Sequence, residues 1–136
     1  MLSSTTSSEP ARVLIVDDNE EMLSRAAAVL KSACVVVGAV KDGPAALKAA
    51  ATLLPEVIVL DIGMGGMNGL EVASRLRDSG STAAVVFFTI HDDQEFIAAA
   101  KAAGGIGYVV KPRLAADLLH AVCEARAHRP FVSAIR

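Results

Sequence analysis

Four consecutive apolar residues, Val57-Ile58-Val59-Leu60, run straight into the carboxylate of Asp61, and a glycine-rich loop follows from Gly63 to Asn68. An unbroken apolar run of this length reads as a strand buried on both faces, the condition of a strand inside a parallel sheet. Asp61 then sits where that strand ends. In open α/β sheets the carboxyl ends of the strands form the edge at which ligands bind. Asp61 is therefore the expected chemical centre of the chain.

The rest of the sequence alternates strand and helix patterns around this run. The apolar stretch 12–16 ends in Asp17-Asp18-Asn19, with Asn19 as N-cap of a helix over about 20–31. A second strand spans 34–40, and Asp42-Gly43-Pro44 opens a helix that Pro55 stops near Leu54. After the Asp61 strand come a helix over about 70–78, a strand over 83–89 and a helix capped by Asp92 or Asp93. Gly104-Gly105 ends that helix, a fifth strand runs 106–110 into Lys111-Pro112, and a fifth helix covers about 114–128. Five βα units in regular alternation imply a parallel sheet with helices on both faces. The alternation leaves strand order open. Residues 11–128 read as one domain, residues 1–10 as a disordered polar tail and residues 129–136 as a C-terminal tail.

Composition narrows the function classes. The formal net charge is -2, and no basic stripe interrupts the sequence, so direct nucleic-acid binding is not expected. Cys34 and Cys123 lie in apolar segments and read as small buried hydrophobes, which fits a reducing cytoplasm. The N-terminus has no basic start followed by an apolar core, and no apolar run is long enough to span a bilayer.

A parallel sheet brings its strand ends to one edge. Here that edge would gather Asp17 and Asp18 from the first strand, Asp61 from the third, Thr89 from the fourth and Lys111 from the fifth. Clustered carboxylates repel one another, and a hard divalent cation relieves the repulsion; Mg²⁺ suits such a site because it keeps waters and accepts phosphate oxygens. Lysine supplies a compact positive charge for an anion, and threonine donates to an oxygen. A carboxylate beside a metal can attack phosphorus, because phosphoryl transfer depends mainly on positioning and charge neutralisation. Singly, Asp17 or Asp18 could be a helix cap, Thr89 a satisfied strand hydroxyl and Lys111 a solvated turn residue. Their joint placement points to phosphate carried on an aspartate.

The chain resembles the receiver domain of a two-component response regulator. The matching text is Val16-Asp17-Asp18, Asp61 with Met64 and Met67-Asn68-Gly69, Thr89, Ala103-Gly104-Gly105-Ile106-Gly107-Tyr108 and Lys111-Pro112. The ending from His128 to Ser133 is similar to that of NarL/LuxR-type receivers, which usually continue into a DNA-binding helix-turn-helix; the expected form is a receiver acting alone through protein contacts, without an output domain, and the alternative is a truncated piece of such a regulator. The resemblance implies the flavodoxin-like fold, a five-stranded sheet in the order 2-1-3-4-5. It implies that Asp61 is the phosphoacceptor, charged by a sensor histidine kinase or phosphotransfer protein, in a signalling switch rather than an enzyme proper. Asp18 would ligate Mg²⁺ directly and Asp17 mainly through water, with Asp61 and the Gly63 carbonyl completing the protein ligands. Lys111 would pair with a phosphoryl oxygen, and its bond to Pro112 would be cis. Thr89 would swing toward the phosphate and Tyr108 would turn inward behind it. The other reading of Tyr108 is a half-buried strand aromatic. A downstream protein partner follows from the same resemblance, which leaves a homodimer open; no membrane partner is expected.

Four positions depart from the family pattern. Gly65 stands where a proline is usual, and Gly63 provides no side chain two residues past Asp61. Ile90 is bulky where a small residue usually admits the phosphodonor, and His91 follows it. Slower access to Asp61 is the expectation from Ile90. Three rivals compete with the receiver reading. A dinucleotide fingerprint at Gly63-Met64-Gly65 lacks its third glycine and would set Asp61 against a pyrophosphate. A haloacid-dehalogenase-type hydrolase needs D-x-D after the first strand, which Asp17-Asp18-Asn19 does not offer. A degenerate receiver used as a phosphate-independent binding module is opposed by the intact acidic set with Thr89 and Lys111.

Overall fold

The computed structural model describes residues 9–133. Six strands form one parallel sheet: β1 (Ala11–Val16), β2 (Cys34–Val40), β3 (Val57–Leu60), β4 (Ala84–Thr89), β5 (Gly107–Val110) and β6 (Phe131–Val132). Their order is β2-β1-β3-β4-β5-β6, the flavodoxin-like order with a short strand added at the β5 edge. Five helices alternate with them: α1 (Glu20–Leu30), α2 (Gly43–Leu53), α3 (Gly69–Asp78), α4 (Gln94–Ala102) and α5 (Leu114–Arg126).

The period-2 alternation along each strand divides the core into two layers. Leu14, Ile58, Leu60 and Phe87 face one side and pack with α2, α3 and α4 through Ala46, Val72, Leu76 and Ile97. Val13, Ile15, Val59 and Phe88 face the other and pack with α1 and α5 through Leu23, Leu30, Leu118 and Val122. Every residue of β3 is fully buried, as a central strand covered on both faces requires.

Helix starts follow their sequence signals. Asn19, Asp42, Asn68 and Asp93 each accept the backbone N–H three residues on, from Met22, Ala45, Glu71 and Phe96 at 2.8–3.0 Å. Asp93, not Asp92, caps α4. Pro44 lies in the first turn of α2, and that helix ends at Leu54 in the left-handed region (φ 50°) just before Pro55.

Three expectations are corrected. Residues 131–132 of the expected C-terminal tail pair with β5 as β6. Cys34 is buried but Cys123 is exposed, because residue 123 falls on the outer side of α5 while Val122 and Ala125 turn inward. No cis peptide occurs among the described residues, so Lys111–Pro112 is trans. Lys111–Arg113 forms a single 3-10 turn leading into α5, and Pro112 occupies its start, where the fixed φ fits and the missing N–H leaves no bond unmade. The expected N-terminal tail lies almost wholly outside the described residues.

Candidate phosphoacceptor site

The acidic residues are held by sheet hydrogen bonds that continue one residue past the strands. The Asp17 N–H donates to the Val40 carbonyl at 3.1 Å and the Asp61 N–H to the Val16 carbonyl at 2.9 Å. The two carboxylates are thereby fixed side by side at the carboxyl edge. Asp17, Asp18 and Asp61 each offer a carboxylate oxygen within 4.8 Å of the others. Asp17 and Asp61 are buried, and Asp18 is exposed at the rim.

Lys111 enters from the end of β5. Its Nζ lies 2.8 Å from Asp17 Oδ2 and 3.4 Å from Asp61 Oδ1. The same ammonium stands 5.4 Å from the centroid of the Phe88 ring, which forms an apolar floor. One cation thus bridges two buried carboxylates, and the pair remains under-neutralised. Burial, and then the charge of Asp17, push the Asp61 carboxyl above its ordinary value, while Lys111 and the Gly63 N–H pull it down. The Gly63 N–H donates to Asp61 Oδ1 at 3.2 Å, and the Asn19 N–H donates to Asp17 Oδ1 at 2.9 Å. Asp17 Oδ2 is buried against the Lys111 ammonium. Three carboxylates this close together, matched by one ammonium, are compatible with a hard divalent cation.

Thr89 ends β4 beside this pocket, fully buried, and its Oγ1 accepts the His91 N–H at 3.3 Å. Val110 pairs with Thr89 across the sheet, so Lys111 follows at the same level. Tyr108 is 2% exposed, and its hydroxyl donates to the His91 carbonyl at 2.8 Å. Burial, then Asp93 and Asp92, push the Tyr108 phenol up to about 12, so it stays a donor at any physiological pH. The imidazole of His91 stacks on Phe96 with ring centroids 3.9 Å apart and planes 5° apart. Ile90, between Thr89 and His91, is 70% exposed.

Comparison with known proteins decides the family. The model of the response regulator receiver domain matches residues 13–123. This chain belongs to the response regulator receiver family. The nitrate/nitrite response regulator NarL of Escherichia coli K12 is 32% identical to this receiver over 127 residues, 92% of the chain and 59% of the relative. The positive alginate biosynthesis regulatory protein of Pseudomonas aeruginosa is 39% identical over 121 residues, 87% of the chain and 47% of the relative. The chain therefore spans about half the length of the curated relatives it matches. Among solved structures, the receiver domain of the NarL response regulator of Mycobacterium tuberculosis superposes with a TM-score of 0.85 at 29% identity, covering 89% of this chain and 99% of that one. A LuxR-family two-component response regulator from Aurantimonas sp. gives 0.88 at 27% identity, covering 92% and 91%.

The receiver brings all the strand-end residues to one edge, as the alternation of elements implies. Sequence reading passed over two backbone roles there. The Asn19 N–H braces Asp17, and the His91 carbonyl receives Tyr108. Neither has a side-chain signal to find.

Proposed function

We propose that this receiver accepts a phosphoryl group on Asp61 from a sensor histidine kinase or phosphotransfer protein and, once charged, alters its contacts with a downstream protein partner. The observation that carries the reading is the single ammonium of Lys111 set between the buried carboxylates of Asp17 and Asp61. Lys111 and the Gly63 N–H both act on Oδ1 of Asp61. Oδ2 is then the oxygen that attacks phosphorus. The new O–P bond replaces the P–N bond of the donor phosphohistidine, and the freed imidazole takes up a proton. Burial strips water from the attacking carboxylate and the adjacent Asp17 raises its energy, which makes it the better nucleophile; the product is a mixed anhydride, an acyl phosphate, whose added negative charge Lys111 would help to meet.

Mg²⁺ fits the residues present. Asp18 would hold it directly, Asp17 mainly through water, and Asp61 and the Gly63 carbonyl would complete the protein ligands. When bound it would neutralise the carboxylates and the incoming phosphoryl oxygens. Lys111 would turn to a phosphoryl oxygen. Thr89 would leave the His91 N–H and donate to another. Tyr108, inward with its hydroxyl on the His91 carbonyl, ties β5 to the loop after Thr89, so displacement of that loop reaches the surface carrying Phe96. Release of the phosphoryl group to water uses the same residues, so the domain takes part in its own dephosphorylation. No helix among the described residues is long and apolar enough to cross a membrane, which accords with a cytoplasmic switch.

Intact-mass spectrometry after incubation with Mg²⁺ and a small phosphodonor tests this. A phosphate adduct on the parent and none on Asp61→Asn is the expected result. No adduct from small donors or from histidine kinases would move the assignment to a phosphate-independent binding module.

A further inference from the structure

The turn that carries Lys111 is bracketed on both sides by one polar network. Before it, the Val110 N–H donates to Ser133 Oγ at 3.2 Å. After it, the Arg113 guanidinium donates to both oxygens of Asp117, at 2.7 and 3.3 Å. Ser133 Oγ donates to Asp117 Oδ2 at 2.7 Å and so joins the two brackets. Ser133 and Asp117 are both buried, and the Ser133 N–H donates to the Tyr108 carbonyl at 2.8 Å.

A buried carboxylate is kept only where its hydrogen bonds are made. Here Arg113 first, with Ser133, holds Asp117 below the ordinary carboxylate range against the opposing effect of burial. The network is fully connected, and a connected network fixes its members more tightly than separate bonds do. Lys111 itself has a long flexible stem. Its placement between Asp17 and Asp61 depends on where its backbone is held, and that backbone has one fixed point on each side.

We propose that Ser133 and Asp117 are positioning residues for Lys111: joined by their own hydrogen bond, they clamp the Val110–Arg113 turn and hold the ammonium over the acidic pocket. The inference rests on the reading of Lys111 as the cation of the phosphoacceptor site. It makes the segment just after α5 a working part of that site, and it links the chain leaving the domain to the same peptide that carries Lys111.

Lysine acylation footprinting by mass spectrometry tests the clamp without any phosphoryl transfer. Lys31, Lys41, Lys48 and Lys101 are exposed internal standards, whereas Lys111 is only 14% exposed. Ser133→Ala should acylate several-fold faster at Lys111 alone, and Ser133→Thr should restore the parent rate. Arg113→Gln, a change at an exposed residue that keeps a hydrogen-bond donor toward Asp117, should raise Lys111 labelling as well. Lys111 labelling equal to the parent in Ser133→Ala and Arg113→Gln would overturn the proposal. So would a uniform rise at every lysine, which would assign Ser133 to global stability. Phosphate uptake by the same variants separates the two levels: the saturating rate should fall several-fold at an unchanged half-saturating donor concentration. A parent that takes no phosphate, with the Lys111 footprint still shifted, would sink the phosphoacceptor reading and leave the clamp standing.

Discussion

Gly69 has no room for a side chain. A Cβ built there would lie 2.1 Å from the Asp61 carbonyl oxygen and 2.9 Å from Ile62 Cα, both backbone atoms that cannot step aside. The Gly69 N–H donates to the Ile62 carbonyl at 3.0 Å, so the loop after Asp61 closes directly on the residue next to it. Gly69→Ala should destabilise the domain by about 1–3 kcal/mol, read as a fall in the denaturant midpoint, and should disturb Asp61 as well. Asp61 itself behaves in the opposite way. Its carboxyl is raised by burial first and then by Asp17, so the folded state holds the proton more tightly than the unfolded state does. Such a group contributes nothing below its unfolded value and a growing penalty as pH rises through its folded value. Asp61→Asn should therefore raise stability near neutral pH, and the gain should vanish as pH falls toward the ordinary carboxylate range. Equal gains at pH 4 and pH 8 in urea titrations would refute that account.

Among the elements, helix ends show most directly what sequence encodes. Asn19, Asp42, Asn68 and Asp93 cap their helices through bonds of three-residue reach, which is why a local reading finds Asn19 and one of Asp92 and Asp93, while Asn68 hides at the end of the glycine-rich loop. The C-terminus of α2 is different. Leu54 closes it in the left-handed region (φ 50°) while 73% exposed, a conformation that an L side chain resists. Leu54→Gly removes that resistance and restores some unfolded-chain entropy, for a net gain of roughly 0.5 kcal/mol, visible as a small rise in melting temperature. A loss of stability would mean that Leu54 packs on its neighbours more than its exposure indicates. β6 shows the limit of the same local reading. Two residues are too few to display a strand's alternation, and Phe131–Val132 is a strand only because β5 offers it an edge. Ser133 is legible as a serine near the end of the domain, but its partners Val110 and Asp117 are 23 and 16 residues away in sequence.

At the scale of the whole molecule, the alternation of apolar runs and amphipathic segments was enough to gather Asp17, Asp61, Thr89 and Lys111, because a parallel sheet leaves their strands no other edge to share. What alternation could not give was the contact order within that edge: which oxygen of Asp61 Lys111 faces, or that Pro112 sits in a trans 3-10 turn. Those depend on tertiary distances of a few ångströms. The same convergence predicts how the fold responds to a cation. The sheet edge confines three carboxylates within 4.8 Å and matches them with one ammonium, so the folded state carries a repulsion that the unfolded chain does not. A divalent cation that binds only the folded state relieves it and stabilises by mass action, by about 2.7 kcal/mol at a hundredfold excess over its dissociation constant. Mg²⁺ should thus raise the melting temperature, and a chelator should reverse the rise. Binding requires ionised carboxylates, and the Asp61 carboxyl is raised, so the gain should shrink as the pH is lowered. Asp18, exposed at the rim, adds little to the apo fold, so Asp18→Asn should leave the metal-free melting temperature close to the parent's while removing most of the Mg²⁺ increment. An equal Mg²⁺ increment in Asp18→Asn would place the cation elsewhere and detach the acidic cluster from metal binding.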